Sequence, residues 1–150
     1  MEKLLILKIK KMTYKIIAKY IKELKFEIPN PNTFFTLSKN ISNYKINIDI
    51  QSKQVKERII EVQTTLNLNT IETAKEKIDT KIIYSAIVEV EGVIDDKKSL
   101  EKIILVKVPT DIYPELRKSF VFLFEQSGFK DIKIDKNIDF QKLYEQRSIQ

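Results

Sequence analysis

The chain has 150 residues, with 27 Lys and Arg against 21 Asp and Glu, 43% hydrophobic residues, 2 Gly, 4 Pro, no Cys and no His. That suits one globular domain with a modest core and leaves little room for glycine-rich phosphate loops or disordered linkers. Without cysteine there is no disulfide framework and no thiolate metal site; without histidine the commonest general base, pH switch and zinc ligand are missing.

The net charge of +6 is local: residues 1–27 hold eight lysines and three glutamates, five of the six net positive charges. The basic start reads first as a solvated arm and second as a contact for RNA or a membrane surface. In the body, lysines alternate with Glu and Asp, which argues against a continuous phosphate-binding stripe. Leu4–Leu7 is shorter than a signal-peptide core, and no small-residue cleavage site follows. No run approaches the roughly 20 apolar residues of a membrane span. The expectation is a cytoplasmic chain without stable membrane insertion or a nucleic-acid partner.

Residues 13–27, TYKIIAKYIKELKFE, are ambiguous. Ile16, Ile17, Tyr20, Ile21 and Leu24 form a helical stripe, which pattern alone slightly favours. With period two, Tyr14, Ile16, Ala18, Tyr20, Leu24 and Phe26 share a face broken at Lys22. In IPNPNTFF the prolines predict an end to regular structure. Segment 44–50 alternates, with Tyr44, Ile46, Ile48 and Ile50 on one face of a strand. Segment 58–68 does the same with Ile60, Val62, Thr64, Leu66 and Leu68, and 81–94 with Ile82, Tyr84, Ala86, Val88 and Val90. The stretches NTIETAKEK and DDKKS read as turns, and LEKIILVKV at 100–108 is a fourth apolar stretch. Pro114 then suits the first turn of a helix that Gly128 ends. A second helix is predicted over 139–148, with Asp139 as N-cap and Phe140, Leu143 and Tyr144 on one stripe.

Strands first and helices last predict an α+β fold, an antiparallel sheet with helices on one face. That arrangement cannot cover Phe120–Phe124. Successive helical residues turn about 100°, so five apolar residues encircle the helix. An exposed Phe forgoes roughly 1.5–3 kcal/mol of burial. A neighbouring subunit is therefore expected to pack on Leu116, Phe120, Val121, Phe122 and Phe124.

These features also resemble one family. Phe26-Glu27-Ile28-Pro29-Asn30 within YIKELKFEIPNPNTFF, then YKINIDI, IIEVQTTLNL, AIVEVEGVI and VPTDIYPELRKSFVFLFEQSGF, are similar in order and spacing to the SecB export chaperones, over roughly residues 13–147. The resemblance implies a four-stranded antiparallel sheet with two C-terminal helices packed on one face, with 13–27 as its first strand. It also implies a homotetramer built as a dimer of dimers. The implied activity is ATP-independent holding of unfolded preproteins for delivery to the motor SecA, with no cofactor and no catalysis. By the same resemblance, clients would bind Phe34, Phe35 and Leu37 in a crossover loop with Phe140, Leu143 and Tyr144 on the last helix. SecA would bind Glu23, Glu27, Ile87 and Glu89. Strand alternation independently puts Glu23 and Glu27 opposite Leu24 and Phe26, and Ile87 and Glu89 opposite Ala86 and Val88.

The chain departs from the family in its basic pI, in lacking the tryptophan usual in the crossover loop, and in a short C-terminal tail. Residues 1–12 read as a basic extension ahead of a chaperone domain at 13–150. Two alternatives stand beside export: a SecB-like chaperone dedicated to one partner such as an antitoxin, and a basic RNA-binding module using the first 25 residues.

Overall fold

The alternating segments pair as strands. In the computed structural model, which describes residues 12–41, 44–69, 79–92, 96–129 and 132–149, they are β1 (Thr13–Glu27), β2 (Lys45–Lys56), β3 (Ile59–Asn69) and β4 (Asp79–Glu91). One antiparallel sheet results, in the order β1-β4-β3-β2. The predicted faces of the three later strands hold. Val62, Thr64, Leu66 and Leu68 of β3 and Ile82, Tyr84, Ala86, Val88 and Val90 of β4 are buried. Ile46, Ile48 and Ile50 of β2 are half-buried, because β2 is an edge strand. β2 also runs past its apolar alternation to Lys56 and turns back at Arg58, whose φ of 65° is the left-handed conformation a tight hairpin requires. The Arg58 guanidinium donates to the carbonyls of Val90 (3.3 Å) and Gly92 (2.9 Å), tying the hairpin to the end of β4.

Residues 13–27 are a strand along their whole length, not the helix that the stripe favoured. The misleading pattern has a physical origin. β1 carries two register shifts against β4, one leaving Ile17 and the other Lys22 without a partner. Each bulge reverses which face the following residues occupy. The inner face is therefore Tyr14, Ile16, Lys19, Ile21, Leu24 and Phe26, opposite buried β4 residues. Ala18 and Tyr20, which simple alternation put inside, lie on the outer face, and Lys19 and Ile21 replace them. The predicted faces of Glu23, Glu27, Ile87 and Glu89 survive, because the second bulge restores the original parity.

The prolines of IPNPN start a helix rather than ending order: α1 spans Pro31–Asn40. Asn30 caps it, its Oδ1 accepting from the Thr33 N–H at 2.8 Å, and Pro31 occupies the first turn, where its missing N–H is harmless. Phe34, Phe35 and Leu37 thus sit on a helix, not on the loop expected for them. Leu37 is its buried anchor.

LEKIILVKV is helical. α2 (Lys97–Lys102), capped by Asp96, runs through a π-helical turn at Ile103–Lys107 into α3 (Val108–Gln126). Pro109 lies in the first turn of α3, and its ring crowds the carbonyl of Leu105, where the wide π turn makes room. Pro114, expected at the helix start, lies inside α3 instead. Gly128, with φ of 96°, ends this helix as predicted. The final helix α4 (Phe140–Ile149) begins where Asp139 Oδ1 accepts from the Lys142 N–H at 3.0 Å.

α3 lies across β3 and β4. Phe120 and Phe124 are fully buried within the chain, as is Leu116, so these three have no surface left for a neighbouring subunit. Of the expected interface residues, only Phe122 (56% exposed) and half-buried Val121 reach the outside. Residues 1–11 and all of the predicted turn NTIETAKEK after its first residue, Asn69, lie outside the described residues; Met12 closes the core at the start of β1. Among the described residues, no helix is long and apolar enough to cross a membrane.

Candidate functional site

Two adjoining cavities form a groove between β2 and the C-terminal elements. The larger, about 410 Å³, is walled by Tyr44–Ile46 and Ile48 on one side and by Tyr113, Ile134, Ile138 and Leu143 on the other. The smaller, about 330 Å³, is walled by Ile48–Ile50, Leu105, Leu143, Tyr144 and Arg147. Lys45 and Asp49 alternate with the inward isoleucines, so their side chains point to the opposite face. They reach the groove through the strand's edge, which exposes main-chain groups. β2 pairs only with β3, and its other edge has no strand partner among the described residues. Half of its N–H and C=O groups therefore face the groove, a template for an added strand.

The opposite wall is held from beneath. The Tyr113 hydroxyl donates to the Asp135 carbonyl, and the Arg117 Nε and Nη2 donate to the Ile134 carbonyl at 3.2 and 3.1 Å. Burial raises the Tyr113 phenol above its usual value, so it remains a donor throughout the physiological range. The π turn directs Leu105 into the groove, and the Tyr144 hydroxyl donates to Glu101 of α2 at 3.1 Å, securing α4.

Of the expected client-binding residues, the structure brings Leu143 and Tyr144 into this groove. Phe140 packs against Tyr113 (ring centroids 6.0 Å apart) and is buried with Leu37, so both support the fold from inside. Phe34 lies on Phe129, with centroids 4.9 Å apart, and the adjacent Phe35 is 62% exposed. Neither lines the two cavities. Ile46, Ile48, Ile50, Leu105, Ile134 and Ile138 were missed as site residues. The alternation of β2 was visible, but nothing local marks a strand as an open edge.

The outer sheet face carries Glu23, Glu27, Ile87 and Glu89. Glu23 lies 3.8 Å from Lys81, Glu89 pairs across strands with Lys15, and Ile87 stands between Ala18 and Glu61. Glu61, which the sequence did not single out, is only 8% exposed on this face, directly across from Ile87. It accepts from Gln63 (2.7 Å), Ser85 (2.8 Å) and Tyr20 (2.9 Å), with Lys22 at 3.5 Å. The Gln63 and Ser85 hydrogen bonds, with smaller help from Tyr20 and Lys22, lower its carboxyl from 4.5 to about 2. A depressed carboxylate stabilises the fold fully above its unfolded value and loses that contribution as pH falls through the folded one. The stability advantage of the wild type over Glu61→Gln is thus expected to shrink by about 1–2 kcal/mol between roughly pH 5 and 2.5, after allowance for solvent screening. Urea unfolding at the two pH values checks this, and a constant difference would refute the ionic role of the network.

On the opposite face, β1 meets α3 at both ends. Tyr14 donates to Asp111 and Lys19 pairs with Glu115, while Phe26 meets Phe124 edge-to-face at 5.0 Å. Between these anchors the strand carries Ile21 and Leu24, and the helix carries Phe122, all exposed. The edge strand and the helix it contacts thereby each leave large apolar side chains exposed.

This geometry can be set beside known proteins. The family described as Preprotein translocase subunit SecB matches residues 8–150. A SecB-type chain of Pelagibacter ubique is 45% identical over 135 residues, covering 90% of this chain and 96% of the relative. The protein-export protein SecB of Cupriavidus taiwanensis is 27% identical over 132 residues (85% and 72%), and that of Granulibacter bethesdensis 26% over 141 residues (89% and 81%). A match along nearly the whole sequence, on an antiparallel four-stranded sheet backed by C-terminal helices, has one reading: this chain belongs to the SecB family.

Proposed function

We propose that the protein is an ATP-independent export chaperone that holds unfolded preproteins in the groove beside β2 and passes them to SecA. Membership of the SecB family makes protein export its business; the observation that carries the holding step is the open β2 edge facing an apolar wall. A free edge offers main-chain hydrogen bonds that any extended polypeptide can use, whatever its sequence. The flanking Ile46, Ile48, Ile50, Leu143 and Tyr144 add non-directional apolar contact. Each contact is weak, and a long client engages several copies at once if the protein assembles. In this reading the exposed Ile21, Leu24 and Phe122 join subunits into a homotetramer, a dimer of dimers, acting in the cytoplasm. The acidic residues Glu23, Glu27 and Glu89 around Ile87 form the SecA docking face.

The test is refolding of a slow-folding secretory precursor diluted from denaturant. One tetramer per precursor is expected to slow folding about tenfold or more without nucleotide; an unchanged rate would overturn the holding function. Glu89→Lys should weaken SecA association by about tenfold while the refolding delay persists. Undiminished SecA association would move the docking face elsewhere.

A further inference from the structure

The two cavities of the groove share two lining residues, Ile48 on the strand and Leu143 on α4. Ile46 lines only the larger cavity and Ile50 only the smaller one. One side chain from the strand and one from the helix therefore stand between the two compartments. Leu143 is 44% exposed, so it crosses the open groove rather than belonging to the core.

We infer that Leu143 is a specificity-determining residue that sets a spacing rule for bound polypeptide: large apolar residues at i and i+4, with a small residue at i+2. This deepens the reading of the groove as a client site and rests on it. The occupant is an extended segment of unfolded polypeptide, because the wall it would join is an unpaired strand edge. Directly opposed residues of paired strands share a face. The occupant's residues opposite Ile46, Ile48 and Ile50 therefore all point to the side where Leu143 stands. The residue opposite Ile46 enters the larger compartment, and the one opposite Ile50, about 13 Å further along, enters the smaller. The residue between them faces Leu143. A large side chain there would collide with Leu143 or push α4 outward. Both compartments have volume to accept an aromatic ring, and their walls of isoleucine, leucine and tyrosine suit one.

Fluorescence anisotropy with labelled peptides of about a dozen residues tests the rule. One peptide carries Phe at i and i+4 with Ala at i+2; a second replaces the central Ala by Trp; a third moves the second Phe to i+3. The Ala-centred peptide is expected to bind wild-type protein about tenfold more tightly than either of the others. In Leu143→Ala the penalty for the central Trp should fall to within about twofold, while the i+3 peptide remains weak. A Trp penalty that is absent in the wild type, or equally large in Leu143→Ala, overturns the inference. The refolding assay on wild-type protein runs alongside. Delay of precursor folding with no preference among the peptides defeats the spacing rule alone, whereas neither delay nor peptide binding defeats the client-groove reading as well.

Discussion

Phe124→Ala is expected to lower the unfolding free energy by about 3–5 kcal/mol. Phe124 is fully buried and is the hub of the aromatic core, within 5.0 Å of Phe26, 5.1 Å of Phe120 and 5.8 Å of Phe129, measured between ring centroids. Truncation removes the transfer energy of a whole ring and leaves a cavity among three others that cannot all close on it, because β1, the body of α3 and the segment after Gly128 each hold one of them. Urea denaturation followed by circular dichroism, at fixed chain concentration, measures the loss. A change below about 1 kcal/mol would mean the core collapses around the hole and that Phe124 is not its keystone.

Phe122→Glu, two residues away, is expected to leave the fold intact and break the proposed tetramer. Phe122 is 56% exposed in the isolated chain, two turns along α3 from Glu115, which pairs with Lys19 of β1, a strand that exposes Ile21 and Leu24. Losing a phenylalanine from a contact between chains removes roughly 1.5–3 kcal/mol, and placing a carboxylate there adds a desolvation cost. Each such contact would weaken association by at least about tenfold. Native mass spectrometry should show the mass falling from four chains towards two, with the circular dichroism spectrum unchanged. An unaltered mass would remove Phe122 from the interface. Phe120→Glu would not serve: Phe120 is sealed inside the chain, and a charge there would unfold it.

The contrast between Phe122 and its neighbours shows where one-dimensional reading stops. Five apolar residues in a row on a helix imply that something must cover every side, and that inference needs only the helical turn. Which rings face inward depends on the rotation of α3 over β3 and β4, a property of packing. The two bulges in β1 are similar. They are stabilised by pairing with β4 and hidden in a sequence whose apolar spacing imitates a helix; the family resemblance placed a strand there where periodicity favoured a helix. IPNPN reads as a break, yet Asn30 and Pro31 are also the residues that best start a helix. The choice between the two roles falls to residues 33–40, where Leu37 finds a buried seat in the core.

The groove is divided in the same manner. Pattern placed Leu143 and Tyr144 on one helical stripe and the family resemblance nominated them for a client groove; the structure sets both beside β2. Phe140 and Leu37 were equally apolar but belong to the core. Glu61 gave no sign of itself, since a glutamate in an alternating strand ordinarily faces water; Tyr20 reaches it only because a bulge turned that side chain outward.

The amino-acid sequence by itself determined the faces of β2, β3 and β4, the stop at Gly128, the cap at Asp139, and the α+β class, because alternation and capping act over a few residues. The tertiary structure alone decided that β1 and β2 are the edges, that Ile48 and Leu143 line one groove, and that Phe122 is left outside while Phe120 and Phe124 are enclosed. Those outcomes depend on strand order and helix placement, which join residues far apart in the chain and leave no local trace.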